Sequence, residues 1–83
     1  MKVNDYTVMY RAELEGGFTV VVPSLPGCVS YGKTLDEAKT MIMDAIVGYI
    51  ASLKKHNEPV PSDNATFLST VHISDTPHSS VYA

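Results

Sequence analysis

The apolar side chains of this chain change their spacing once, and that change limits the folds available to it. In residues 6–14 they occupy every second position, which is the period of a β-strand with one face in water. Residues 18–22 are rich in aromatic and β-branched side chains, as strands are. From Leu35 onward, apolar residues recur at every third or fourth position, the period of a helix. The pattern predicts an α+β protein in which strands precede one long helix.

Glycine and proline mark the turns between three predicted strands. The glycine pair at residues 16–17 supplies the positive φ angles of a tight hairpin. Pro23 ends the second strand, because proline has no amide proton to donate to a neighbouring strand. A proline–glycine turn then leads into a short third strand, predicted at residues 28–31. The residues to which we assign a structural role in these turns are Gly16, Gly17, Pro23, Pro26, Gly27 and Cys28.

A capping box begins the helix. Thr34 can accept a hydrogen bond from the amide of Glu37, and the Glu37 side chain can reach back toward the start of the helix. The helix is predicted from Leu35 to about Lys55, with basic residues at its C-terminal end. Its apolar stripe comprises Leu35, Ala38, Ile42, Ala45, Ile46, Tyr49 and Leu53.

The apolar side of this helix is wider than one small sheet would cover. Met43, Val47 and Ile50 extend it beyond the main stripe. Such a surface is typical of a contact with a partner, so we predict these three residues at the interface of a dimer or higher homo-oligomer. A curved sheet that cradles the helix would explain the same pattern without a partner.

A proline-bounded loop at residues 57–63 follows the helix. Residues 66–73 are predicted to form a final strand, which completes the order β-β-β-α-β in one antiparallel sheet with the helix on one face. We assign residues 1–73 to a single domain and residues 74–83 to a flexible tail.

Composition narrows the possible partners and compartments. The net charge is −3, which disfavours a nucleic-acid binder that relies on clustered Lys and Arg. The single cysteine fits a reducing compartment, and no apolar run is long enough to span a bilayer. We therefore expect a cytoplasmic protein without membrane contact.

Several blocks of the sequence together resemble the HicB family of antitoxins. They are residues 15–28 (EGGFTVVVPSLPGC), residues 32–38 (GKTLDEA), the long helix, and residues 58–61 (EPVP), in the order and spacing of that family. The resemblance implies a partial ribonuclease-H-like fold for the domain at residues 1–73. It also implies a function, namely binding and silencing a small basic mRNA-cleaving toxin of the HicA family by steric blockade.

Longer members of the family append a DNA-binding module after the last strand. Here residues 74–83 are too few for a helix-turn-helix or ribbon-helix-helix segment. We therefore predict a short form that does not bind DNA by itself.

Ribonuclease H catalysis requires several carboxylates around two metal ions. The opening strand, residues 7–12, carries no acid. Capping explains Asp36 and Glu37, and Asp44 falls on the solvent side of the helix. We predict that the chain is not an enzyme and has no nuclease activity, metal site or cofactor.

Cys28 is the other residue that could carry chemistry, with His56 or His72 as a base. No local motif would activate its thiol, so a small buried cysteine is the simpler interpretation. The histidines lack the close spacing of metal ligands.

Three hypotheses about function follow. In the first, an antitoxin meets the basic face of its toxin through Glu13, Glu15, Asp36 and Glu37, although each alone could be an ordinary solvated charge. In the second, the chain is an orphan self-associating structural or ligand-responsive module with no toxin partner. In the third, it is a residual hydrolase.

Overall fold

The computed structural model describes residues 5–75, and every structural statement below refers to that part of the chain. Its elements are β1 (Met9–Ala12), β2 (Phe18–Val21), β3 (Val29–Gly32) and α1 (Leu35–Lys55). The strands form one antiparallel sheet in the order β1-β2-β3, so β1 and β3 are its two edges. The helix packs on one face of this sheet, mainly against β3 and β2. The predicted α+β class is confirmed. The calls for residues 1–4 and 76–83, including most of the predicted tail, lie outside the described residues.

The hairpin between β1 and β2 has the predicted turn. The amide of Glu13 donates to the carbonyl of Gly17, and the amide of Gly16 donates back to the carbonyl of Glu13, both at 3.0 Å. Gly16 and Gly17 have φ angles of 105° and 81°, which favour glycine over residues with a Cβ. The hydroxyl of Tyr31, on β3, donates to the carbonyl of Gly16 and ties the hairpin to the far side of the sheet.

The helix has the bounds that the sequence predicts, and its cap is close to the predicted one. The amide of Glu37 donates to the Thr34 hydroxyl at 3.0 Å. The Glu37 carboxylate accepts from the amide of Lys33, one residue before the cap. The Thr34 hydroxyl thereby pairs one of the helix amides that no helical carbonyl can reach, and the Glu37 carboxylate pairs an amide just before the cap.

Six apolar residues from every layer form the buried core. They are Val20, Val22, Leu25, Cys28, Ala38 and Ile42. Tyr6, Val8, Phe18, Ala45, Ile46 and Tyr49 are half-buried around them. Leu25 is unexpected in this group because it lies in the turn between β2 and β3.

The structure differs from the sequence prediction after the helix. Residues 66–73, predicted as a final strand, are not paired with the sheet or with any other part of the described chain as a strand. Their apolar side chains are exposed: Phe67 to 88%, Leu68 to 66%, Val71 to 74% and Ile73 to 78%. A strand needs a neighbouring edge to pair with, and within this single chain these residues do not reach one.

Candidate functional site

An apolar groove runs between β1 and the helix on the open edge of the sheet. We call it the β1–α1 groove. Its apolar walls are formed by Tyr6, Val8, Tyr10, Ile42, Met43, Ile46 and Val47, and Lys39 also lines it. The groove exists because the helix packs mainly against β3 and β2 and leaves the side of β1 uncovered.

Two of the three predicted interface residues lie in this groove. Met43 is 57% exposed and Val47 is 68% exposed. Ile50, one turn further along, is half-buried and does not line it. Met43 and Val47, which widen the apolar side of the helix, therefore lie in the β1–α1 groove. Their role in self-association stays a prediction.

The face of the sheet opposite the helix also carries apolar side chains. Met9, Val21 and Val29 are paired across the three strands, and Tyr31 follows in the next row with the same orientation. Met9, Val29 and Tyr31 are about half exposed. Sequence reasoning assigned the Met9 side of β1 to water. The apolar row becomes visible only when the strand register brings the three strands together.

The four acids predicted to meet a toxin lie at one end of the sheet. Register places Ala12, Phe18 and Gly32 side by side in the last row. Glu13 and Glu15 follow Ala12 in the hairpin, and Asp36 and Glu37 follow Gly32 in the first turn of the helix. Glu13 is half-buried, and the other three are exposed. We call these four residues the acidic end.

Asp63 is an organising residue that sequence reasoning missed. One carboxylate oxygen accepts from the amide and the hydroxyl of Thr7, at 3.0 and 2.8 Å, and the other accepts from the Ser24 hydroxyl. These hydrogen bonds, led by that of Ser24, lower the pKa of the Asp63 carboxyl. Its place in a proline-bounded Ser–Asp–Asn sequence indicated a turn, but not the two distant segments that it joins.

Cys28 and the remaining candidate catalytic residues lie apart from one another. Cys28 is buried beneath its turn, and burial raises the pKa of its thiol, which disfavours the reactive thiolate. His56 caps the far end of the helix, with Nδ1 2.8 Å from the carbonyl oxygen of Ser52. Asp44 is exposed along the helix.

In residues 5–75 no three His, Cys, Asp or Glu side chains are grouped so that they could hold a metal ion. The same residues include no helix with the length and apolarity needed to cross a bilayer.

Comparison with known proteins identifies the family of this chain. The family model described as HicB-like antitoxin of bacterial toxin–antitoxin system matches residues 6–79. A UPF0150 protein of Thermoplasma acidophilum is 52% identical over 67 residues, which cover 81% of this chain and 96% of the relative. A UPF0150 protein of Synechocystis is 41% identical over 63 residues, or 76% of this chain and 80% of the relative. A third, from Helicobacter pylori, is 40% identical over 55 residues, or 66% of this chain and 67% of the relative. The chain belongs to the HicB-like antitoxin family of bacterial toxin–antitoxin systems.

Proposed function

We propose that this antitoxin neutralises a small, basic, mRNA-cleaving toxin of the HicA type by covering the toxin's RNA-binding face. Family membership supports the antitoxin role in general. The observation that carries the finer proposal is the acidic end, where two separate segments place four acids at the same end of the sheet. A toxin that binds RNA needs a positive surface for the phosphates, and such a surface is complementary to this end.

The acids of the hairpin and those of the helix contribute differently. Glu13 and Glu15 lie in the hairpin, where Glu13 uses its backbone amide and carbonyl to close the turn. The Glu37 carboxylate is already bound to the amide of Lys33, and the positive charge of Lys33 lies at the same end. We therefore assign the main electrostatic contact to Glu13 and Glu15, with Asp36 beside them.

A charge-reversal pair tests this assignment. Glu13→Lys together with Glu15→Lys should slow association with the toxin, most strongly at low salt, because exposed charges act over about 10 Å at 0.1 M ionic strength. The matched control is Asp44→Lys together with Glu58→Lys. It makes the same change in net charge at exposed positions outside the acidic end. Surface plasmon resonance at two salt concentrations measures the rates, and circular dichroism checks the fold.

Two results would contradict the proposal. Equal association rates for the acidic-end variant and the wild type at low salt would place the contact elsewhere, for example on the sheet face around Met9 and Val29. Equal slowing by both variants would indicate an effect of net charge alone. Growth of cells that express the toxin together with each variant provides the functional measurement.

We further propose that neutralisation involves no catalysis by this chain. The buried Cys28 thiol supports this, as does the finding that residues 5–75 contain no group of His, Cys, Asp or Glu able to hold a metal ion. The purified protein with magnesium or manganese should leave labelled RNA intact. Cleavage lost on Asp36→Ala, with the helix still folded, would favour the residual hydrolase. Failure to bind the basic product of an adjacent gene would favour the orphan module.

A further inference from the structure

The segment after Asp63 has the pattern of a strand but pairs with no strand among residues 5–75. Phe67, Val71 and Ile73 share one side by the two-residue period, and each is at least 74% exposed. Exposed apolar side chains in this number are costly in water and mark a contact surface. We call residues 66–73 the C-terminal segment.

The same chain also carries an unfilled acceptor for a strand. Among residues 5–75, β1 is an edge of the sheet, so half of its backbone amides and carbonyls face outward with no strand of that range beside them. The β1–α1 groove lies along this edge and is lined by apolar side chains. A strand added there would pair with β1 and place alternate side chains in the groove. Residues 67–73 and residues 6–12 have the same length.

Asp63 and Thr66, just before and at the start of the C-terminal segment, are held toward β2 and not toward the free edge of β1. The amide of Glu13 donates toward β2, so the odd-numbered amides of this strand point to the β2 side. Thr7 has the same parity, and its amide donates to Asp63. Asp63 therefore lies on the β2 side of Thr7, away from the free edge of β1, and also binds Ser24 in the turn after β2.

Thr66 continues in the same direction. Its hydroxyl lies 2.8 Å from that of Ser24, which follows β2, the middle strand. To reach its own free edge, the chain would have to turn back from Ser24 past Thr7 and use part of the segment to do so. A second copy can present its segment to that edge without this reversal.

We propose that two copies of this chain exchange their C-terminal segments, each filling the β1–α1 groove of the other and adding a strand to its β1 edge. Phe67, Val71 and Ile73 enter the groove and contact Tyr10, Met43 and Val47 of the other copy. The exchange is reciprocal, so it closes as a two-fold dimer and leaves no further segment free. The acidic end is not part of this contact, so the dimer is independent of toxin binding.

The test uses three double variants of the full chain. The donor variant, Phe67→Asp with Val71→Asp, places two charges on the apolar side of the segment. The acceptor variant, Met43→Asp with Val47→Asp, places two charges in the groove at exposed positions and leaves the core intact. The control, Thr70→Asp with His72→Asp, adds the same charge on the other side of the segment, where both residues are exposed.

Multi-angle light scattering should give 18.0 kDa for the wild type and the control, twice the 9.0 kDa of one chain. The donor and acceptor variants should each be monomeric, with the dimer dissociation constant raised by about 100-fold or more, because two apolar contacts are lost in each site. Mixing these two variants should restore a one-to-one dimer, since one of the two exchanges is then intact. Native mass spectrometry distinguishes it from either homodimer.

Three outcomes would overturn the proposal. A monomeric wild type at tens of micromolar would exclude the exchange. A donor variant that still dimerises would show that the grooves meet each other directly. Monomers that fail to associate on mixing would show that each segment folds back onto its own β1. No toxin enters these measurements, so they remain separate from the test of the proposed function.

Discussion

The burial of Leu25 provides a sharp test of how this small domain is stabilised. Leu25 lies in the turn between β2 and β3, yet its side chain has 0% exposure. Its amide donates to the carbonyl of Val22 at 3.0 Å, and its carbonyl accepts from the amide of Cys28 at 2.9 Å. The turn is thus closed around a side chain that points into the core.

The expected cost of Leu25→Ala can be estimated from this geometry. Truncating a buried leucine costs about 2–5 kcal/mol, and the upper part of that range applies where neighbours cannot relax into the cavity. Two hydrogen bonds on either side of the residue restrict such relaxation. A chain of 83 residues has a total stability of about 4–12 kcal/mol. One substitution in a turn should therefore remove about 3–4 kcal/mol, a large share of the total.

Leu14→Ala is the matched control, because Leu14 lies in the other turn and is fully exposed. The same side-chain atoms are removed there without any loss of buried contact, so the change should stay within about 0.5 kcal/mol. Urea unfolding followed by the helical circular dichroism signal measures both variants. All proteins are compared at one concentration, since self-association would contribute to stability.

A loss below about 1 kcal/mol for Leu25→Ala, or equal losses for the two leucines, would refute this reasoning. Either result would mean that the turn is not part of the core in solution. A changed slope of the urea dependence would instead indicate an altered unfolded or native state, so the slope must match that of the wild type.

Three further predictions concern single contacts, each checked by urea unfolding. Gly32→Ala should destabilise the fold by about 1–3 kcal/mol, because the added Cβ would lie 2.6 Å from the Cα of Ala38. Gly48→Ala has open space around the added Cβ and should stabilise the helix by about 0.5–1 kcal/mol. A loss of stability at both positions would contradict this difference in packing. Thr34→Ala should cost about 1 kcal/mol by removing the cap, and Thr34→Ser should restore most of it. The lowered pKa of Asp63 means that its carboxylate stabilises the fold above the usual Asp pKa of about 3.9, and that this contribution is lost as the pH falls from there through the folded pKa. Asp63→Asn should therefore lower the urea midpoint at pH 7 and narrow the difference between pH 7 and pH 3; an unchanged pH dependence would show that the hydrogen bonds to Asp63 contribute nothing.

Local chemistry determined much of this fold, and it could be predicted from the sequence. The helix has its predicted bounds, from Leu35 to Lys55, because its cap and its basic end act within a few residues of each terminus. The glycines of the first turn have positive φ angles because a tight hairpin requires them. The surplus apolar stripe of the helix also located Met43 and Val47 on an open surface.

The candidate sites depended on relations that no local pattern contains. Glu13 and Asp36 share one end of the sheet only because the register of three strands brings their segments together. The apolar row that begins at Met9 has the same origin. Asp63 binds Thr7 and Ser24, which precede it in the chain by 56 and 39 positions.

The C-terminal segment shows the difference between what a local sequence pattern determines and what tertiary structure determines. Alternation in the sequence predicted a strand at residues 66–73, and its side chains retain that pattern. Tertiary structure left the segment unpaired, and the hydrogen bonds of Asp63 and Thr66 hold its start beside Ser24, in the turn after the middle strand. Periodicity depends on each residue and its near neighbours, whereas strand pairing requires a second backbone within about 5 Å. The sequence by itself determined that this segment can be a strand, and only the tertiary structure decided that its own sheet does not receive it.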